Sequence, residues 1–318
     1  MTARIIRNPE EAAGILKKGG LVAIPTETVY GLAAHALDEA SVAQIFKAKG
    51  RPSNDPLIVH IAEAGAIDNL SRRIYPEARM LAEEFWPGPL TMVLPKKNIV
   101  PDMVTAGLDT VGLRVPDHPL TRSLLAMIDF PLAAPSANPF GYVSPTSAQH
   151  VAEQLGEEID AILDGGSTRV GLESTIIGFP EGRPTLYRYG GLESERIESV
   201  IGPLNYRVSS SSDPLAPGML KKHYSPSKKV LFGDPEALSG TLKAPFAILS
   251  FRSRYEGVGA REVFTLSTRG DLKEAAQRLF MGLRILDALP VDYIVAEPFP
   301  DEGLGRAIND RLQRAAAQ

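Results

Sequence analysis

Along this chain, short apolar runs alternate with amphipathic stretches of helical period, and the alternation breaks once, near residue 208. Leu21-Val22-Ala23-Ile24, Leu57-Ile58-Val59-His60-Ile61 and Leu90 to Leu94 read as buried strands. Between them, Ser41 to Lys49 reads as a helix with Val42, Ile45 and Phe46 on one face and Ser41 as its cap. Glu10 to Lys18 reads as a short helix opened by Pro9 and closed by Gly19-Gly20. Leu70 to Phe85 reads as one amphipathic helix, and segments 111–115, 131–134, 159–163 and 173–177 add strands. Such alternation predicts an α/β fold, with antiparallel pairing left open.

The break, Val208 to Gly218, is rich in serine and proline and has little to bury, so it reads as a linker. A second α/β pattern follows from Lys229. Val230 to Phe232, Phe246 to Ser250, Val263 to Leu266 and Tyr293 to Ala296 are strand-like, with helices over Leu272 to Leu289 and Ala307 to Ala316. The expected boundaries are 1–205 for a catalytic domain, 206–227 for a linker and flap, and 228–318 for a small three-layer domain. A length of 318 residues suits two domains.

Several function classes drop out on composition. With 0 cysteines there is no disulfide, thiolate nucleophile or Cys-ligated metal, and the 5 histidines are scattered with no HExxH pair. The net charge of −4 opposes a surface coated for nucleic acid. No apolar run is long enough for a membrane span, and the charged N-terminus lacks a signal-peptide core, so a soluble cytoplasmic protein is expected. Neither GxxxxGK[ST] nor GxGxxG occurs, which removes those phosphate loops. GxSxG is also missing, and neither Ser136 nor Ser144 has an adjacent base, which disfavours covalent hydrolysis.

What remains is a set of cations and hydroxyls. Pro25-Thr26-Glu27-Thr28-Val29-Tyr30 follows a buried strand, where α/β folds hold ligands; alone it is either a satisfied turn or a binding loop. Lys49 and Arg51 form either a solvated helix end, favoured by the helix dipole, or a polyanion clamp stiffened by Pro52 and Pro56. Arg114 sits in an apolar strand pattern and needs either an internal acid or an anionic ligand. Ser136, after Ala134-Pro135, has little bulk around it. Many cations with few bases suit phosphate stabilisation better than proton abstraction. Trp86 reads as a packed anchor rather than a base-stacking platform.

In order and spacing, PTETVYGL at 25–32, KGRPSNDPL at 49–57, WPGPLT at 86–91, GLRVP at 112–116, PSAN at 135–138 and STI at 174–176 resemble the YrdC/Sua5 family, the threonylcarbamoyl-AMP synthases. PGMLKKHYSP at 217–226 and the closing AINDRLQRAA resemble the two-domain Sua5 type. The resemblance implies an open, twisted α/β catalytic domain joined to a smaller Rossmann-like α/β domain. It implies a cytoplasmic nucleotidyltransferase that condenses L-threonine, bicarbonate and ATP, with Mg2+, into L-threonylcarbamoyl-adenylate and pyrophosphate. That product serves the N6-threonylcarbamoyl modification of adenosine 37 in tRNA, through downstream transferase proteins.

By motif, Thr28, His60, Arg114, Ala134 (through its backbone) and Ser174 match positions that hold threonine or its carbamate. Lys49, Arg51, Asp55, Thr110, Ser136, Ser144, Arg188 and Tyr224 match nucleotide-binding positions. Lys49, Arg51 and His60 are the expected catalytic groups, His60 as base or as binder, and the metal ligands are unassigned. Arg114 is expected to take the α-carboxylate as a bidentate pair, and Tyr224 makes residues 217–226 a flap over the cleft. Asp55 stands where relatives often carry Asn, suiting adenine, ribose or a magnesium shell, and Leu220 stands where a lysine is common. Two other readings are an RNA-binding protein gripping backbone in the cleft, and a carbamoyltransferase of the hydrogenase-maturation type, whose companion segments this sequence lacks.

Overall fold

The apolar runs become strands of two separate sheets in the computed structural model, which describes residues 2–208, 216, 219 and 224–317. The larger sheet contains β1 (Arg4–Ile6), β2 (Val22–Ile24), β3 (Gly31–His35), β4 (Ile58–His60), β5 (Leu90–Pro95), β6 (Thr110–Arg114), β7 (Leu132–Ala133), β8 (Ala161–Leu163), β9 (Thr175–Gly178), β10 (Thr185–Arg188) and β11 (Asn205–Tyr206). Their spatial order is β1-β8-β2-β3-β7-β4-β6-β5-β9-β10-β11. Pairing is mixed: β4–β6 and β5–β9 are parallel, whereas β2–β3, β3–β7, β4–β7, β5–β6 and β9–β10 are antiparallel.

This order gathers strand ends on one side of the sheet. His60 lies opposite Arg114 where the parallel strands β4 and β6 finish. β7 pairs with β4 and leads into Ala134-Pro135-Ser136, and Ser136 bridges back to Gly31 at the start of β3. β9 begins beside the start of β5, so Ser174 falls next to the end of β6, and antiparallel β10 ends with Arg188 at the same place. Thr110 begins β6, about 13 Å along the strand from Arg114 at the usual rise per residue.

The smaller sheet comprises β12 (Lys229–Phe232), β13 (Phe246–Ser250), β14 (Val263–Thr265) and β15 (Tyr293–Ala296), all parallel in the order β12-β15-β13-β14. Ala247, Leu249, Ile294 and Ala296 point to helices Leu272–Asp287 and Leu304–Ala316. Phe246, Ile248 and Val295 point the other way, towards Leu238 and Val258. Helix Leu272–Asp287 also packs on the larger domain, where Val29, Val143 and Leu172 join its apolar cluster. Gly171 permits that approach: its φ is +77°, and a Cβ there would lie 2.5 Å from the Gln277 Cα.

Three local expectations need correction. Leu70 to Phe85 is not one helix, because a short helix Ile67–Leu70 ends at extended Ser71 and a new one starts at Pro76, a residue suited to a first helical turn. Asp38, not Ser41, caps helix Glu39–Lys49, and its carboxylate accepts from the Ser41 amide at 3.0 Å. The last two residues of PTETVYGL, Gly31 and Leu32, open β3, a strand to which the sequence reading assigned no element. Most of the expected flap (217, 218 and 220–223, including Leu220) lies outside the described residues. No helix among the described residues is long and apolar enough to cross a membrane.

Candidate active site

The gathered strand ends line a partly open cavity whose empty space, its mouth included, is ≈ 540 Å3. Nine of the expected site residues line it: Thr28, Arg51, His60, Arg114, Ala134, Ser136, Ser174, Arg188 and Tyr224. Lys49, Asp55 and Ser144 do not line it but touch residues that do. Thr110, at the far end of its strand, is not part of the wall.

Lys49 lies on the buried face of helix Glu39–Lys49 with Val42 and Ile45, and the left-handed turn at Gly50, φ +60°, brings Arg51 inward after it rather than into solvent. Lys49 Nζ donates to the Ser136 carbonyl at 2.6 Å and also to the Asn138 carbonyl, so the cation ties down the PSAN turn. Burial, with the charge of Arg51 beside it, lowers the Lys49 ammonium well below the usual lysine range. Arg51 donates from Nε to the Asp55 carbonyl at 3.1 Å and from Nη2 to the Pro56 carbonyl at 2.8 Å. Its Nη1 has no partner among the described residues.

Asp55 is wholly buried with Oδ2 2.8 Å from Arg51 Nη2, a contact of charges in which neither carboxylate oxygen accepts an aligned hydrogen bond. Burial raises its pKa, against the pull of Arg51, Lys49 and Arg188.

Arg114 pairs with Glu27 inside the protein and faces the cavity as well. Its Nη2 donates to Glu27 Oε1 at 2.6 Å and to Thr28 Oγ1 at 2.9 Å, and Nε donates to the Gly88 carbonyl at 3.2 Å. Both hydrogens of Nη2 are thus engaged. The bidentate grip expected of Arg114 is therefore not what this arrangement offers, and the edge left over is Nη1. His60, 2% exposed, has an unpartnered Nδ1. Burial and the adjacent Arg114 charge push its imidazole down to about 3, so it is neutral at physiological pH.

Arg188 donates to the Ser174 carbonyl at 3.0 and 2.8 Å and to Ser174 Oγ at 3.1 Å. Ser174 Oγ shares a further hydrogen bond with Thr91 Oγ1 at 2.7 Å. Next to it, Glu173 accepts from Ser144 Oγ at 2.5 Å and from Arg311 Nε at 2.9 Å. Burial alone would raise Glu173, but the charges of Arg311 and Arg188 bring it below the usual carboxylate range. Arg311 comes from the C-terminal helix, is fully buried, and lies 4.9 Å from the ring centre of Tyr224. Ala216 and Met219 are buried against Ile58, Val93, Ile176 and Tyr187.

Comparison with known proteins points the same way as this geometry. Residues 14–190 match the Sua5, YciO and YrdC family described as "Telomere recombination", and residues 192–317 match "Threonylcarbamoyl-AMP synthase, C-terminal domain". The chain belongs to the Sua5/YrdC family. It is 46% identical to a threonylcarbamoyl-AMP synthase of Pyrococcus abyssi, over 96% of this chain and 93% of that protein. It is 41% identical to a Bacillus subtilis protein of the same description, over 96% of this chain and 92% of that one. Its fold matches the crystal structure of P. abyssi Sua5 complexed with L-threonine with a TM-score of 0.93 and 43% identity, covering 99% and 98% of the two chains.

Two parts of this Sua5-type site were missed by the sequence reading. Glu27 was counted only as one polar group of a turn, and Glu173 and Arg311 were not singled out. Arg114 in an apolar strand did signal a missing acid, without saying which. The Glu173–Arg311 contact joins residues 138 positions apart, in different domains, and no local spacing encodes it.

Proposed function

We propose that this chain is an L-threonylcarbamoyladenylate synthase that condenses L-threonine, bicarbonate and ATP into threonylcarbamoyl-AMP and pyrophosphate. The observation that carries the reading is the pair of guanidinium edges, Arg114 Nη1 and Arg51 Nη1, open to one cavity. One meets the carboxylate of the amino acid and the other the phosphates of the nucleotide.

The free amine of threonine attacks bicarbonate with loss of water, or adds to CO2 in equilibrium with it and gives up a proton to solvent, to form a carbamate. A carbamate oxygen then attacks the α-phosphorus, and pyrophosphate leaves in line. Arg51 and Arg188 offset charge growing on the phosphates, and Lys49 holds the Ser136 turn against them. Holding the reactants together supplies a large part of the rate, as orientation is worth roughly 7–11 kcal/mol in model reactions. His60, neutral and so weakly basic, serves as a hydrogen-bonding partner of threonine and not as the base for its ammonium.

Magnesium, when bound with ATP, neutralises phosphate charge. Among the described residues no three His, Asp or Glu side chains cluster to hold an ion. Asp55, wholly buried off the cavity wall with Oδ2 2.8 Å from Arg51 Nη2, is not placed to reach a nucleotide-borne ion, so phosphate and water would supply that ion's ligands. Thr110 has no role in this arrangement. The segment around Tyr224 acts as a lid, a reading supported by the burial of Ala216 and Met219 against the catalytic wall and by Tyr224 lining the cavity. The labile adenylate passes to a transferase acting on tRNA, which places the work in the cytoplasm.

The test is release of pyrophosphate from ATP with substrates omitted one at a time. Release is expected only with threonine and bicarbonate together; unchanged release without either overturns the reading. Tight RNA binding with steep salt dependence and no response to ATP would favour a backbone-binding role instead.

A further inference from the structure

We propose that Glu27 is a positioning residue for threonine capture: it fixes which edge of Arg114 meets the amino acid. The inference rests on the functional reading above and deepens it.

A guanidinium can present two forked edges or a single end, and a carboxylate ligand takes a fork when one is free. In this cavity neither fork is free. Glu27 Oε1 and Thr28 Oγ1 occupy Nη2, and the Gly88 carbonyl occupies Nε. Glu27 is itself held from behind, since its Oε2 accepts from the Asp117 amide at 2.9 Å. The side chain is 1% exposed, and each of its oxygens is held by a hydrogen bond. It thus acts as a strut between the backbone after β6 and the guanidinium at the end of β6, and it turns Nη1 towards the ligand.

The strut also balances the Arg114 charge within the wall. An arriving anion meets a directed pair of N–H donors rather than a bare cation. Such a site ranks anions by where their oxygens fall, which suits a cavity that must keep an amino-acid carboxylate apart from a triphosphate. Reach, more than charge, is then the property of Glu27 that threonine binding depends on.

Two substitutions separate reach from charge. Glu27→Asp keeps the charge and shortens the strut; Glu27→Gln keeps the length and loses the charge. Calorimetric titration is expected to show threonine affinity falling about tenfold or more in Glu27→Asp, with ATP affinity held within about twofold. Glu27→Gln is expected to lose less threonine affinity than Glu27→Asp yet to unfold at a lower temperature, because it leaves a buried guanidinium without its counter-charge. A residue that only supports the fold would rank the two variants the same way in both measurements, and that result overturns the proposal. Equal losses of threonine and ATP overturn it too.

Should Glu27→Asp not fold, a threonine-bound crystal structure of the unaltered protein decides the matter. The carboxylate on Nη1 with the Glu27–Arg114 contact intact supports the strut, and the carboxylate on Nη2 with Glu27 displaced refutes it. Failure of the unaltered protein to bind threonine at all would instead refute the functional reading.

Discussion

A buried histidine whose imidazole is held near 3 makes stability depend on pH in a calculable direction. Below about 6.5 the unfolded chain takes up a proton at His60 that the folded protein refuses, so stability falls as pH falls, until His60 itself protonates near 3. Between pH 7 and pH 5 this one residue accounts for about 2 kcal/mol of lost stability. His60→Gln is expected to flatten that part of the profile, measured by denaturant unfolding at the two pH values; an unchanged slope would show that other groups dominate. At this scale the sequence was informative about types and silent about partners. Arg114 in an apolar strand predicted an acid or an anion, and the structure provides Glu27 while leaving Nη1 for a ligand. Asp55 showed its oddity only as a departure from relatives, because its burial beside Arg51 depends on a helix end turning inward.

Among the elements, those with strong local signals were legible: Pro9 at a helix start, the helix that ends at Lys49, the apolar runs that became β2, β4, β5 and β13. The misread helix at Leu70 failed because apolar period continued across Ser71 to Tyr75, while Ser71 pairs with Lys96 in extended form. Strands β10 and β11 gave no clear periodic signal and owe their form to pairing beside β9. The Ala216 and Met219 side chains are buried against the strand residues Ile58, Val93, Ile176 and Tyr187, a contact suited to anchoring the proposed flap. Met219→Asp should lift that anchor, lowering ATP affinity about tenfold or more while threonine binding is kept. Parallel titrations with the two ligands check it, and unchanged ATP binding would remove the anchoring role.

At the scale of the molecule, Arg311 joins the two domains through Glu173, Tyr189 and the Tyr224 ring. Arg311→Met leaves the Glu173 carboxylate buried without its strongest counter-charge and should cost about 3–5 kcal/mol, visible as a lower unfolding temperature. Pairing it with Glu173→Gln should recover most of the loss; no recovery would mean that Arg311 acts mainly through its other contacts. Domain count was readable from the change of texture near residue 208, but this junction was not, since it depends on side chains meeting across both sheets. Because Val29, Val143 and Leu172 share one apolar cluster with Phe280 and Ala276, the covalent connection between the halves is not what keeps them together. A polypeptide severed between them should still migrate as a single particle on a sizing column, and the larger piece, made alone, should come out sticky.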